Sequence, residues 1–304
     1  MKYPFPFSRS CWAGISLCAL LLASGCATNS KQTPQGQQPV PNAGAQAQGA
    51  PGTQQGNAPA SAENQKAQTA WRSYLVRAKA VPRTQGAFRI SASVRYTTPQ
   101  ETQRVSALLW GNGKPGSPYP LRLDLLAGVG SVVAKVRETE HSFTAFVPDE
   151  NVAYVHPEGA STLASFGVPI PLDLHSLTQM LTGRGHVLLL PAGASLEAPM
   201  PSGFIVSQEG VRFPLPTAPL GGSLLLSPEG VPIEWQENGD KGWVIGIEPE
   251  KTGSLRPAKL RISHPNGYGA LLVLKEIAAM PAPFTKENMS LVLPKGVTER
   301  PLEQ

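Results

Sequence analysis

Few side chains in this 304-residue chain have the type and spacing that covalent or coordination chemistry needs. Its three cysteines, Cys11, Cys18 and Cys26, all fall within the first 26 residues, so the remainder can form neither a disulfide framework nor a thiolate metal site. The five histidines, His141, His156, His175, His186 and His264, lack metal-ligand spacing such as two on one helical face. Lys251-Thr252-Gly253 matches one motif of serine penicillin-binding enzymes, but its required partner Ser-x-x-Lys occurs nowhere in the chain. Gly128-Val129-Gly130 lacks a third glycine and sits between strand-like runs, which makes it a hairpin turn rather than a phosphate loop. The acids Glu138/Glu140 and Asp149/Glu150 fall in turn-like segments, where solvation accounts for them. There is no Gly-x-Ser-x-Gly elbow and no P-loop. An enzyme is not expected, nor is a metal or a cofactor.

The Cys26 thiol stands apart because of what precedes it. Lys2 and Arg9 form a basic start, and the stretch from Cys11 to Gly25 is apolar and uncharged. At about 15 residues this run falls short of the roughly 20 needed to cross a hydrocarbon core. It has the layout of a secretory leader. Leu22-Ala23-Ser24-Gly25-Cys26 resembles a bacterial lipobox, with Ala23 where leucine is usual. That resemblance implies a leader over residues 1–25, a diacylglyceryl group on the Cys26 thiol, and an acylated amine at the new N-terminus. Several acyl chains make a lasting anchor, since each buried methylene contributes about 0.8 kcal/mol.

The formal charge of +5 includes Lys2 and Arg9, and without them the mature side chains carry +3. That balance is too mild for a nucleic-acid partner, and the basic residues are scattered rather than clustered with aromatics. From Cys26 to Lys66 the chain is rich in Gln, Pro, Gly, Ala and Asn with almost no large apolar residue, which reads as a flexible tether. As a coil of about 40 residues it would reach on the order of 35 Å.

A single folded domain over residues 67–304 is expected, a division near Gly183 being the alternative. Ala67, Ala70, Trp71, Tyr74, Leu75 and Ala78 recur at helical spacing, and Pro82 ends that pattern. From Phe88 to Tyr96 apolar and polar residues alternate strictly, which predicts a strand with one buried and one wet face. Comparable runs follow at 104–110, 121–126, 131–136, 141–147 and 152–156, separated by short turns. Ala160–Phe166 and Leu172–Leu181 read as helices, the second with Asp173 as N-cap and Gly183 as its stop. Strands are expected again at 203–207, 211–215, 223–226, 231–235, 243–248, 259–264, 270–275 and 289–293. The predicted class is mainly β (α+β): one large curved antiparallel sheet, an open half-barrel, with a few helices packed over its concave face. Phe88, Ile90, Val94, Tyr96, Leu121, Leu123, Leu125, Val132 and Val136 point to that face, as walls of a cavity or as ordinary core. Leu174, Leu177 and Leu181 share one side of the helix that would cover it.

The order of elements resembles the LolA/LolB superfamily of bacterial envelope proteins. The likeness is carried by the Trp71 helix, Gly86-Ala87-Phe88-Arg89-Ile90, Ala107-Leu108-Leu109-Trp110-Gly111, Leu121-Arg122-Leu123-Asp124-Leu125 and Phe166-Gly167-Val168-Pro169-Ile170-Pro171-Leu172, with Leu291-Val292-Leu293-Pro294 near the C-terminus. It is strongest over residues 67–183. The resemblance implies a half-barrel with helical lids over an apolar cavity, holding acyl chains without cofactor or bond chemistry. It makes the nine concave-face residues a lipid-binding cavity, Leu174, Leu177 and Leu181 its lid, and Val129 an apolar tip for membrane insertion. A LolB-like protein on the periplasmic face of the outer membrane of a Gram-negative cell would be anchored by its lipid, and would receive lipoproteins from a periplasmic carrier. Ala27 after the cysteine is no acidic retention signal and fits that address. The alternative is a structural or assembly lipoprotein that binds a protein partner on the same scaffold, which the long tether and the strands after Gly183 favour.

Overall fold

The computed structural model describes residues 58–82, 86–113, 119–128, 130–157, 163–190, 198–239 and 242–302. Cys26, residues 27–57 of the expected tether, and Val129 lie outside them, whereas residues 58–66 of that tether belong to the first helix. Among the described residues no helix is long and apolar enough to cross a membrane.

The first helix, α1 (Ala58–Ala80), begins well before the apolar face that the spacing marks out. Residues 62–66 are exposed, and burial starts at Ala67 and continues through Ala70, Trp71, Tyr74, Leu75 and Ala78. Arg77 and Lys79 occupy the last turn, where cations complement the helix dipole. Val81, the residue before Pro82, is biased away from helical backbone, and the helix stops ahead of it.

Six strands then form a meander: β1 (Ala87–Thr97), β2 (Thr102–Asn112), β3 (Leu121–Ala127), β4 (Ser131–Thr139), β5 (Ser142–Val147) and β6 (Val152–His156). A short 3-10 turn (Leu163–Phe166), α2 (Leu174–Leu181) and α3 (His186–Leu189) follow. A second meander comprises β7 (Ile205–Val206), β8 (Val211–Pro214), β9 (Ser223–Leu226), β10 (Pro232–Gln236), β11 (Val244–Pro249), β12 (Pro257–Ser263) and β13 (Gly269–Ala279). The chain ends in α4 (Lys286–Met289) and β14 (Thr298–Pro301). All strands belong to one curved, open sheet of order β14-β6-β5-β4-β3-β2-β1-β13-β12-β11-β10-β9-β8-β7. The two meanders meet where β1 pairs antiparallel with β13, from Phe88↔Ala279 to Thr97↔Gly269.

α1 lies on the second meander. Its Trp71 ring sits 5.1 Å from Phe213 of β8, and the indole N–H donates to the carbonyl of Ala198 at 3.1 Å. The Arg77 guanidinium donates to the carbonyls of Glu229 and Gly253. The β9–β10 turn touches the helix at Gly230, where φ is 75° and an added Cβ would lie 2.5 Å from both the Ala70 oxygen and the Tyr74 nitrogen. Only glycine allows this approach.

The C-terminal segment departs from expectation. Residues 289–293 are not a strand: Met289 ends α4, and Val292 is 82% exposed. The segment crosses the outer face, where side chains instead of a neighbouring strand satisfy its backbone. Asn112 exchanges two hydrogen bonds with the Phe284 backbone, Arg122 donates to the Ser290 carbonyl at 2.6 Å, and Arg137 donates to that of Met289 at 3.0 Å. The actual last strand, β14, runs parallel to β6, and all four of its residues are exposed. An edge strand exposed on both faces has no alternation for a sequence to display.

Candidate functional site

The first meander turns its apolar residues to the concave side. On β1 Ile90, Ala92, Val94 and Tyr96 are buried while Arg89 and Arg95 are exposed, and on β3 Leu121, Leu123 and Leu125 are buried. The segment after β6 closes over them. It is tied to itself by backbone bonds Leu163 N–H to Leu172 O, Ala164 N–H to Ile170 O and Val168 N–H to Leu163 O. α2 then begins at Asp173, whose carboxylate accepts from Ser176 N at 2.6 Å and from Ser176 Oγ at 3.1 Å, the N-cap that its position predicts. It ends in a Schellman arrangement: Gly183 (φ 79°) donates to Met180 O, and Arg184 donates to Gln179 O.

Between lid and sheet lies a cavity of about 30 Å³ with wholly apolar walls. Five of the nine residues expected on the concave face line it: Ile90, Val94, Tyr96, Leu123 and Leu125. Phe88, Leu121 and Val136 are buried but belong to the packed floor beside it. Val132 does not point inward. The β3–β4 register shifts between Leu125 and Leu126, so Ala134 faces Leu125 while Val132 faces Leu126. Val133 packs against the core in its place, because the extra residue of a bulge reverses the facing of what precedes it. Of the lid residues, Leu177 and Leu181 close the cavity, and Leu174 is fully buried away from it. The small residues Ala92 and Ala107, paired on β1 and β2, also line it, together with Leu163, Val168 and Ile170 of the lid. Alternation on β1 and β2 marks both alanines, but their small size hid them among more apolar neighbours.

The polar anchor of the lid is Glu138. Its position next to Glu140 suggested a solvated turn; instead it is on β4, 1% exposed, in the same inward set as Ala134 and Val136. One carboxylate oxygen accepts from Leu174 N at 2.9 Å, in the first turn of α2, and the other lies 2.5 Å from His175 Nδ1. His175 Nε2 is 2.8 Å from the Tyr119 carbonyl, which can only accept, so that nitrogen carries a proton. A second proton is then shared between Nδ1 and Glu138. Burial pushes the Glu138 carboxyl above its ordinary range, against the opposing pull of His175 and the Leu174 N–H. Burial works against a charged His175, but the hydrogen bond and charge of Glu138 outweigh it and hold the imidazole above its usual value. Ligand atoms of Glu138, Asp173 and His175 come within 4.8 Å of one another, close enough to share a cation. Each already has a protein hydrogen-bond partner, so the group is assembled as a latch.

No family model matches the chain, and no curated protein sequence matches it. Among solved structures it is similar to a DUF1329 family protein from Desulfovibrio piger, at 12% identity over 73% of this chain and 96% of that one, with a TM-score of 0.46. It is also similar to LprF from Mycobacterium bovis, at 11% identity over 77% and 98% of the two chains, with a TM-score of 0.28. A LolA superfamily protein from Nitrosomonas europaea aligns at 12% identity over 71% and 98%, with a TM-score of 0.44.

Proposed function

We propose that this chain is a lipid-anchored protein of the bacterial envelope whose concave face takes up acyl chains, of lipoproteins or of lipids, when its lid moves aside. The observation that carries this reading is the cavity under α2, which has no polar wall and is covered by Leu177 and Leu181 with Leu163, Val168 and Ile170. At about 30 Å³ it has room for a few water molecules at most, too little for any acyl chain while the lid is down. Leu177 and Leu181 therefore occupy space that a ligand would take, and binding exchanges one apolar filler for another.

The exchange suits reversible handling. Each methylene leaving water gains about 0.8 kcal/mol whether it enters this site or a bilayer, so transfer onward is close to balanced. The lid leucines, competing for the same volume, tip the balance toward release. In this reading Cys26 carries the anchor, the residues between it and α1 give the reach, and the membrane served is the outer one, where a periplasmic carrier would deliver lipoproteins.

A fluorescent fatty acid titrated against the protein tests the reading. Saturable binding near one per chain is expected, and Ala107→Leu, which fills the cavity from its floor, should weaken it at least tenfold. Non-saturable binding, or binding indifferent to that substitution, overturns it.

A further inference from the structure

Strand pairing gathers positive charge on the outer face, opposite the cavity. Arg104 of β2 stands directly across from Arg95 of β1, Arg95 across from Leu271 of β13, and Leu271 across from Arg261 of β12. All three arginines are exposed, and at the usual strand spacing the row spans on the order of 15 Å. Like charges directly opposite in a sheet destabilise it, and no carboxylate among the described residues forms a salt bridge with any of them. Arg104 donates to the Ser93 hydroxyl, which is neutral. The next acid along the row, Glu234, is held by Arg212 at 2.6 Å, and Glu248 by Lys259 at 2.7 Å. The sheet thus keeps an unfavourable row of guanidinium groups that no carboxylate among the described residues pairs with.

We propose that this row docks the folded part onto an anionic membrane surface by binding the phosphates of lipid headgroups. Guanidinium groups form paired hydrogen bonds to phosphate oxygens, and a linear row on an open sheet face meets many headgroups at once. Leu271, half-buried between Arg95 and Arg261, adds apolar area at the same level. The reach of the tether keeps a planar anionic surface within range. The inference uses the anchor of the reading above but not its cavity, so acyl-probe binding is indifferent to the row.

The test uses the full chain, reconstituted into vesicles of phosphatidylcholine alone or with phosphatidylglycerol, carrying a fluorophore at Ser263→Cys beside the row and a quencher on the lipid. Retention on phosphatidylcholine reports the anchor alone, so its failure and that of the row are separate results. Quenching should appear with phosphatidylglycerol, fall at high salt, and decline roughly fivefold in docked-to-free ratio for each arginine removed in Arg95→Gln and Arg261→Gln. Equal quenching with and without phosphatidylglycerol, as an acidic protein partner would leave it, overturns the proposal. So does a doubly substituted chain that still docks.

Discussion

His175 Nδ1 and a carboxylate oxygen of Glu138 lie 2.5 Å apart, joining the first turn of the lid helix to the inner face of β4. Since the other Glu138 oxygen accepts from the Leu174 N–H, one buried carboxylate holds both the helix terminus and its first polar side chain. The lid is thereby pinned at its start, while the leucines that close the cavity lie further along.

Glu138→Ala removes both bonds and should cost about 2–4 kcal/mol of stability, since it leaves the Leu174 N–H unsatisfied in the interior. Amide exchange across residues 174–181 should accelerate more than exchange in β1 and β13. Uniform acceleration throughout the chain would mean that the pair supports the whole fold and not the lid.

Stability should fall as pH rises above the ordinary imidazole value. The His175 pKa is raised on folding, so its contribution is complete below the ordinary imidazole value of 6.5 and is lost as pH climbs through the higher folded value. The upward shift of Glu138 has the same sign, because the folded chain again holds the proton more tightly. Urea midpoints measured against pH should show this decline, and His175→Gln should flatten it. An unchanged slope in that variant would assign the decline to other groups.

Leu177→Ala should destabilise the chain by about 2–5 kcal/mol while enlarging the space beneath the lid. Acyl-probe affinity should rise as stability drops, an opposition that general loosening does not produce at a saturable site. Denaturation and probe titration on one sample separate the two effects.

Gly230→Ala should cost at least about 3 kcal/mol, combining left-handed backbone strain with collision against α1. Gly239→Ala is the control: its φ of 92° is also positive, but nothing lies within 4 Å of the added Cβ. Comparable losses in the two variants would argue against the close docking of the β9–β10 turn on the helix.

Cys26→Ser should release the protein from membranes into the soluble fraction and change its mobility by the mass of the acyl groups. A variant that stays membrane-bound with unchanged mobility contradicts the anchor.

The open antiparallel sheet, the inward set on β1 and both caps of α2 were legible in the sequence, because each is written in neighbouring residues: strict alternation for a half-buried strand, Asp173 before a helix, Gly183 after it. Alternation also holds the signal for Glu138, two residues beyond Val136 on the same strand, though its charge argued for solvent. Other features depended on pairing between distant segments. The bulge that turns Val132 outward is settled by the register of β4 against β3, and the backbone of the 284–290 segment is satisfied by side chains more than 150 residues earlier. The sequence by itself determined which residues could face inward and where the lid helix begins and ends. Only the tertiary structure decided that the concave face is nearly filled, that Glu138 meets His175, and that Arg95, Arg104 and Arg261 form one row. Local patterning sets the facing of each side chain, whereas strand register and lid packing set which distant side chains meet.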